Sequence, residues 1–198
     1  MVEALSIFEE ELEVYRSNFI KIMETLDLKR LLPVLELLTT SLNESSTMVY
    51  VCGNGGSAAL SQHFAIDLGL GTLKIRNRAC RVIDLTSNVA VLTATANDTG
   101  YENVFSKQLD LLARNGDILI AVSSSGNSTN VIDAVLKARE LRMKTVGLTG
   151  FDGGEIKKLV DFSIHVETEI GNYGMVEDSH SFILHALTFL LRRKVNET

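Results

Sequence analysis

The hydrophobic pattern of this chain changes character near residue 48. Before it, Leu5, Phe8, Leu12, Tyr15, Phe19, Ile22 and Leu26 are spaced alternately by three and four residues, which predicts a long helix with one apolar seam and its acids mostly on the other faces. Such a seam packs either on its own domain or against a partner subunit. Pro33 lies near the start of a second apolar stretch, about 31–43, where proline suits the first turn of a helix. After it, short apolar runs follow at 48–52 (MVYVC), 81–85 (RVIDL), 117–123 (DILIAVS), 144–149 (KTVGLT) and 162–167 (FSIHVE). They are rich in β-branched residues and hardly alternate, as in strands buried on both faces. Helical stretches fall between them at about 57–70, 88–97, 101–114, 128–142 and 153–159, and a last one at about 175–193. This alternation predicts an α/β fold: an open, doubly wound parallel sheet of about five strands. Residues 1–45 are expected to form a helical arm and 46–198 the sheet domain.

Composition narrows the class. With 198 residues, 45% hydrophobic, 22% charged and a single proline, the chain suits one α/β domain plus an arm and excludes disorder. The net charge of −6 is uneven: residues 1–47 carry 9 acids and 4 bases, the remainder 16 acids and 15 bases. Without a basic stripe, no nucleic-acid partner is expected. No apolar run approaches the roughly 18–20 residues of a membrane span, so no membrane partner is expected. The opening MVEALSIFEEELEVYR carries early acids and no basic n-region, so it does not read as a signal peptide. A cytoplasmic location is expected, with the isolated Cys52 and Cys80 as free thiols.

In parallel sheets ligands bind beyond the carboxyl ends of the strands. Two loops there hold unusual chemistry. Gly53-Asn54-Gly55-Gly56-Ser57 follows the first strand, and Ser123-Ser124-Ser125-Gly126-Asn127-Ser128 follows the third. Glycines let the backbone approach a ligand, each following helix offers free N–H groups at its start, and the serines add hydroxyls. Together the loops suit a phosphate without Lys or Arg. Neither is a dinucleotide fingerprint or a P-loop. Singly, each also reads as a plain turn capped by Ser57 or Ser128.

His63 and Asp67 are four residues apart on a helix and share a face. Glu177 and His185 lie two turns apart on the last helix, offset by about 80°, so both can reach one cleft. Two imidazoles and two carboxylates suit a divalent metal, zinc above all, and equally suit acid–base work. His165, inside a strand, and His180, five residues from His185, read as structural. Asn97 and Asp98 close a short helix ahead of Gly100, which a cap and turn explain.

GNGGS, SSSGNS and LTGFDGG, each after a strand, resemble the SIS (sugar isomerase) domain family over roughly residues 48–193. The run Asn97-Asp98-Thr99-Gly100-Tyr101, then Val104-Phe105-Ser106, with His63 and His185, is similar to the phosphoheptose isomerases. The resemblance implies isomerisation of sedoheptulose 7-phosphate to D-glycero-D-manno-heptose 7-phosphate through an enediol, for bacterial surface polysaccharide. It implies zinc held by His63, Asp67, Glu177 and His185, and a homotetramer packed through the arm. It implies that Asn54, Gly55, Gly56, Ser57, Ser123, Ser124, Ser125 and Ser128 hold the phosphorylated sugar, with Asn97 and Asp98 on its hydroxyls. His185 is expected as acid, and Asp67 or Glu177 as base. Three positions depart from the family: Asp67 stands for Glu, Glu177 for Gln, and Gly71 for Arg, with Lys74 the only nearby base. A competing reading is a non-catalytic SIS module, either a sugar-phosphate sensor or a tetrameric adaptor for a replication initiator. The retention of both histidines and two carboxylates favours an enzyme.

Overall fold

The computed structural model describes residues 2–44, 46–76 and 79–197. It opens with α1 (Val2–Thr25), a 3-10 turn (Leu28–Arg30) and α2 (Leu31–Asn43). Strands and helices then alternate: β1 (Met48–Gly53), α3 (Gly56–Arg76), β2 (Arg81–Asp84), α4 (Val89–Thr99), α5 (Ser106–Leu112), β3 (Ile118–Ser123), α6 (Thr129–Glu140), β4 (Lys144–Thr149), α7 (Ile156–Leu159), β5 (Phe162–His165) and α8 (Tyr173–Glu197). All strand pairs are parallel and the order is β2-β1-β3-β4-β5. The expected five-stranded, doubly wound sheet is therefore the observed one.

Period-two alternation builds two cores from the same strands. Val49, Val51, Ile118, Ile120, Val122, Val146 and Leu148 face α2, α3 and α8, where they meet Val34, Leu38, Phe64, Leu68, Ile183 and Leu187. Tyr50, Cys52, Leu119 and Ala121 face the other way, onto Leu109 of α5 and Val131, Ala134, Val135 and Ala138 of α6. Strands buried on both faces explain why the apolar runs did not alternate.

The element limits differ from the sequence expectation in telling places. The helix expected at 101–114 is divided: a 3-10 turn at Tyr101–Asn103, then α5. Gly100 (φ 99°) redirects the chain, and Val104 and Phe105 turn inward to full burial. α7 is a single turn, and β5 ends at His165, two residues early. α3 runs on to Arg76 and α8 to Glu197, both longer than expected. No helix among the described residues is long and apolar enough to cross a membrane. Both cysteines are free and buried, and burial pushes the Cys52 thiol up.

The apolar seam of α1 splits between the two readings. Ile22 and Leu26 pack partly against the core that α2 builds on the sheet. Tyr15 donates to Asp178 of α8 at 2.7 Å. Phe8 and Leu12 remain 64% and 69% exposed, and the Leu5 side chain lies outside the described residues. α2 buries Leu31, Val34, Leu35, Leu38 and Leu42 in the core on the sheet.

His180 is structural, as its spacing suggested, but at a cost. It is fully buried on α8, and neither ring nitrogen has a hydrogen-bond partner. Burial above all pulls its pKa down to about 4, opposed by the nearby Thr149 backbone and helped by His165. Between about pH 6.5 and 4 the unfolded chain therefore binds a proton that the folded chain refuses, so stability falls as pH drops through that window. Urea titrations from pH 7 to 4 should show a steeper loss for the wild type than for His180→Leu. Parallel profiles would assign the acid sensitivity elsewhere.

Candidate active site

The strand order reverses direction between β1 and β3, and the crevice of such a sheet opens at that point. The loop after β1 runs into α3, on one face of the sheet. The loop after β3 runs into α6, on the other. They flank a cleft of about 280 Å³ whose walls include Asn54, Gly55, Gly56, Ser57, Ser123, Ser124, Ser125 and Ser128, all eight residues expected to hold a phosphate. Tyr173 and Glu177 close it from α8, and among the described residues no lysine or arginine lines it.

Hydroxyls and backbone amides organise this cleft. The Gly126 N–H donates to Ser123 Oγ at 3.2 Å, and the Asn127 N–H donates to Ser125 Oγ at 3.2 Å. Ser123 and Ser128 hydroxyls stand 3.3 Å apart. Ser128 makes no capping hydrogen bond to α6, so its hydroxyl remains available to a ligand, against the plain-turn reading. Asn54 and Asn130 exchange amide hydrogen bonds at 2.8 and 2.9 Å, and Tyr101 donates to Asn54 at 3.0 Å. This ties the glycine loop to α6 across the sheet. The starts of α3 and α6 supply the positive dipole ends that anions seek.

α3 and α8 pack side by side and run parallel, in register at three levels. At the first, the Glu177 carboxylate lies over Gly56, so close that a Cβ there would collide with it. At the second, His63 and His185 face each other through Nε2 atoms 3.4 Å apart, their rings edge-on. At the third, Arg192 lies over Gly71, where a Cβ would strike Nη2. Seven or eight residues separate the levels on each helix, a rise of about 10–12 Å.

Asp67, one turn beyond His63, completes the middle level. Its Oδ2 is 3.9 Å from both imidazole Nε2 atoms. Ligand atoms of His63, Asp67 and His185 all lie within 4.8 Å of one another. Tetrahedral ligands about 2.0–2.1 Å from zinc stand about 3.4 Å apart, so two nitrogens and a carboxylate oxygen at these spacings fit a divalent ion. The imidazole side chains are 55% and 52% exposed, whereas Asp67 is 23%.

The remaining expected residues are placed less centrally. Glu177 belongs with the loop cleft and not with the three putting their ligand atoms together, because two turns of rise carry it to the next level. Asn97 and Asp98 are exposed at the end of α4, bonded to each other at 2.9 Å and outside the walls of the cleft. The sequence reading missed Asn130, Tyr173 and Arg192. Asn130 continues the SSSGNS run by two residues, which is a local signal. Arg192 had none, since only helix packing brings it to Asp67.

Comparison with known proteins agrees with this architecture. The family model for the SIS domain matches residues 14–150. A phosphoheptose isomerase of Geotalea daltonii is 39% identical over 189 residues, covering 94% of this chain and 96% of that protein. One from Akkermansia muciniphila is 40% identical over 162 residues, covering 82% and 84%. Among solved structures, phosphoheptose isomerase GmhA from Neisseria gonorrhoeae superposes with a TM-score of 0.82 at 32% identity, covering 93% of this chain and 98% of that one. These relatives define the class as sugar-phosphate isomerases of the SIS type. The chain belongs to the SIS domain family and, within it, to the phosphoheptose isomerases.

On the expectation that these hydroxyls hold a phosphate, Ser125→Ala and Ser128→Ala should each weaken binding of a sugar phosphate by about 1.5–3 kcal/mol, the range for a hydrogen bond to a charged group. Titration calorimetry with unchanged affinity in both variants would remove these serines from the site.

Proposed function

We propose that the chain interconverts sedoheptulose 7-phosphate and D-glycero-D-manno-heptose 7-phosphate, supplying heptose for bacterial surface polysaccharide, in the cytoplasm. The observation that carries this reading is the placement of an anion cleft and an imidazole–carboxylate cluster on successive levels of one helix pair. From Ser57 to His63 the rise along α3 is about 9 Å, so an elongated substrate anchored by its phosphate presents its far end to the imidazoles. Binding energy at the phosphate then fixes the reacting carbons.

The loop hydroxyls and amides bind the phosphate. An arriving phosphate and the Glu177 carboxylate compete for the start of α3, so Glu177 swings off Gly56 toward the substrate carbons that lie between the two levels. From there it removes the proton from the carbon beside the carbonyl and returns it to the neighbouring carbon of the enediol. A hydroxyl proton must leave one oxygen as the other gains one, and His185 relays it through Nδ1, giving that proton to one oxygen and recovering one from the other, since Nε2 faces the cluster. His63, Asp67 and His185 would hold zinc. When bound, it would polarise the sugar carbonyl. Asp67 is one methylene shorter than the family's glutamate and its Oδ2 faces both imidazoles, which favours ligation by Asp67 and proton transfer by Glu177.

The site also supports the homotetramer that the resemblance implies, with residues 1–45 as its arm. Ile66 and Leu70 on α3, and Phe182 and Phe189 on α8, are exposed on the faces that carry His63 and His185. A second copy covering them would shield the half-open imidazoles from water. The exposed half of the α1 seam offers a second contact.

Incubation with sedoheptulose 7-phosphate in deuterated water should incorporate deuterium beside the carbonyl. Glu177→Gln should lose this exchange by roughly 10²–10⁴-fold yet keep phosphate binding. Asp67→Asn should lose bound zinc first, and acid should release zinc from the wild type because its ligands must be deprotonated. Full exchange in Glu177→Gln with none in Asp67→Asn would reverse the two roles, and full activity in chelator would remove the metal. Phe8→Glu with Leu12→Glu should lower the mass measured by light scattering without unfolding the chain. An unchanged mass would show that the seam is not an interface.

A further inference from the structure

The third level of the α3–α8 seam has no part in the proton transfer, yet it is built for one. Gly71 lies inside a helix of 21 residues, where glycine is the poorest residue short of proline. Its φ is ordinary, so the backbone does not require glycine. What the missing side chain provides is room for Arg192: a Cβ at residue 71 would overlap Nη2 and push the flexible guanidinium aside. The vacated space lets an arginine from α8 lie across α3.

That arginine ends on Asp67. Nη2 is 3.5 Å from Oδ1, while Oδ2 points to the two imidazoles at 3.9 Å each. The carboxylate is thus divided, one oxygen turned to the cation and the other to the metal-ligand cluster. Aspartate has two torsions, and without a second contact its oxygens would exchange places freely. Arg192 Nε is itself buried with no hydrogen-bond partner, so the guanidinium is held by shape in the Gly71 slot rather than by a network of its own.

We propose that Arg192 is a positioning residue for Asp67, and that Gly71 exists in this chain to admit it. The pair fixes which carboxylate oxygen meets His63 and His185, and so the geometry in which zinc is bound. This rests on the reading of His63, Asp67 and His185 as a zinc site. Outer partners of a metal ligand typically change affinity or turnover by about 10–100-fold when removed.

Four variants test it: Arg192→Met, Arg192→Lys, Gly71→Ala, and Gly71→Ala with Arg192→Met. Zinc affinity is read by competition with a chromophoric chelator, and kcat and KM are read with sedoheptulose 7-phosphate. Arg192→Met and Gly71→Ala should each weaken zinc binding and lower kcat by about 10–100-fold, with KM held within about twofold. Gly71→Ala retains every charge and favours the helix, so its loss cannot come from a missing cation or from unfolding. The double variant should be no worse than the stronger single one, because both act on one contact. Arg192→Lys should recover part of the loss. Wild-type zinc affinity and kcat in folded Arg192→Met, tighter zinc binding on loss of the charge, or additive losses in the double variant would each overturn the proposal. A wild type that neither binds zinc nor exchanges deuterium would instead defeat the reading of the site, and Arg192's role with it.

Discussion

Two helices, α3 and α8, lie parallel and in register, and the site depends on that packing more than on any single residue. Each buries a stripe at three- and four-residue spacing: Ser57, Ser61, Phe64 and Leu68 on α3, and Val176, His180, Ile183, Leu187 and Leu191 on α8. Each fully buried apolar side chain contributes about 1.5–3 kcal/mol, and together these fix the axial register of the pair. The polar groups follow as passengers. Once Phe64 and Leu68 are seated, His63, Asp67 and Gly71 form the adjoining stripe of α3, and Glu177, His185 and Arg192 meet it from α8. A slip of one residue along either helix would rotate these groups by about 100° and separate them.

Register also explains how the chain holds many charges near one another. The anion cleft has no cation side chain and uses amides, hydroxyls and helix starts instead. The Arg192 guanidinium is kept two levels away on Asp67. Had Arg192 stood at the cleft, it would have paired with Glu177. The separation leaves Glu177 as the one carboxylate among the described residues that line the cleft.

Glycine serves two distinct purposes along this seam. Gly55 has a φ of 54°, a turn that other residues adopt with strain. Gly56 and Gly71 have ordinary backbones and matter through the missing side chain, since each admits a charged group of α8. One residue type thus allows the chain both to turn and to bring two helices close enough for carboxylate, imidazole and guanidinium to share one face.

Much of this was legible in the sequence, for local reasons. β-branched apolar runs separated by helical stretches determined a parallel sheet, because only strands covered on both faces can be apolar throughout. The glycine and serine loops at strand ends determined where the cleft opens, because loop position follows from connectivity. The i, i+4 spacing determined that His63 and Asp67 share a face. What lay beyond reach were the distances between segments more than a hundred residues apart. That His185 meets His63, that Glu177 stands at Gly56 instead, that Asn130 pairs with Asn54, and that Arg192 fills the space of Gly71 are all results of helix packing across the fold. The helix limits at 101–114 escaped for the same reason: Val104 and Phe105 break a plausible helix because the core takes them in. Periodicity states which face a residue occupies, and only tertiary packing decides what that face meets.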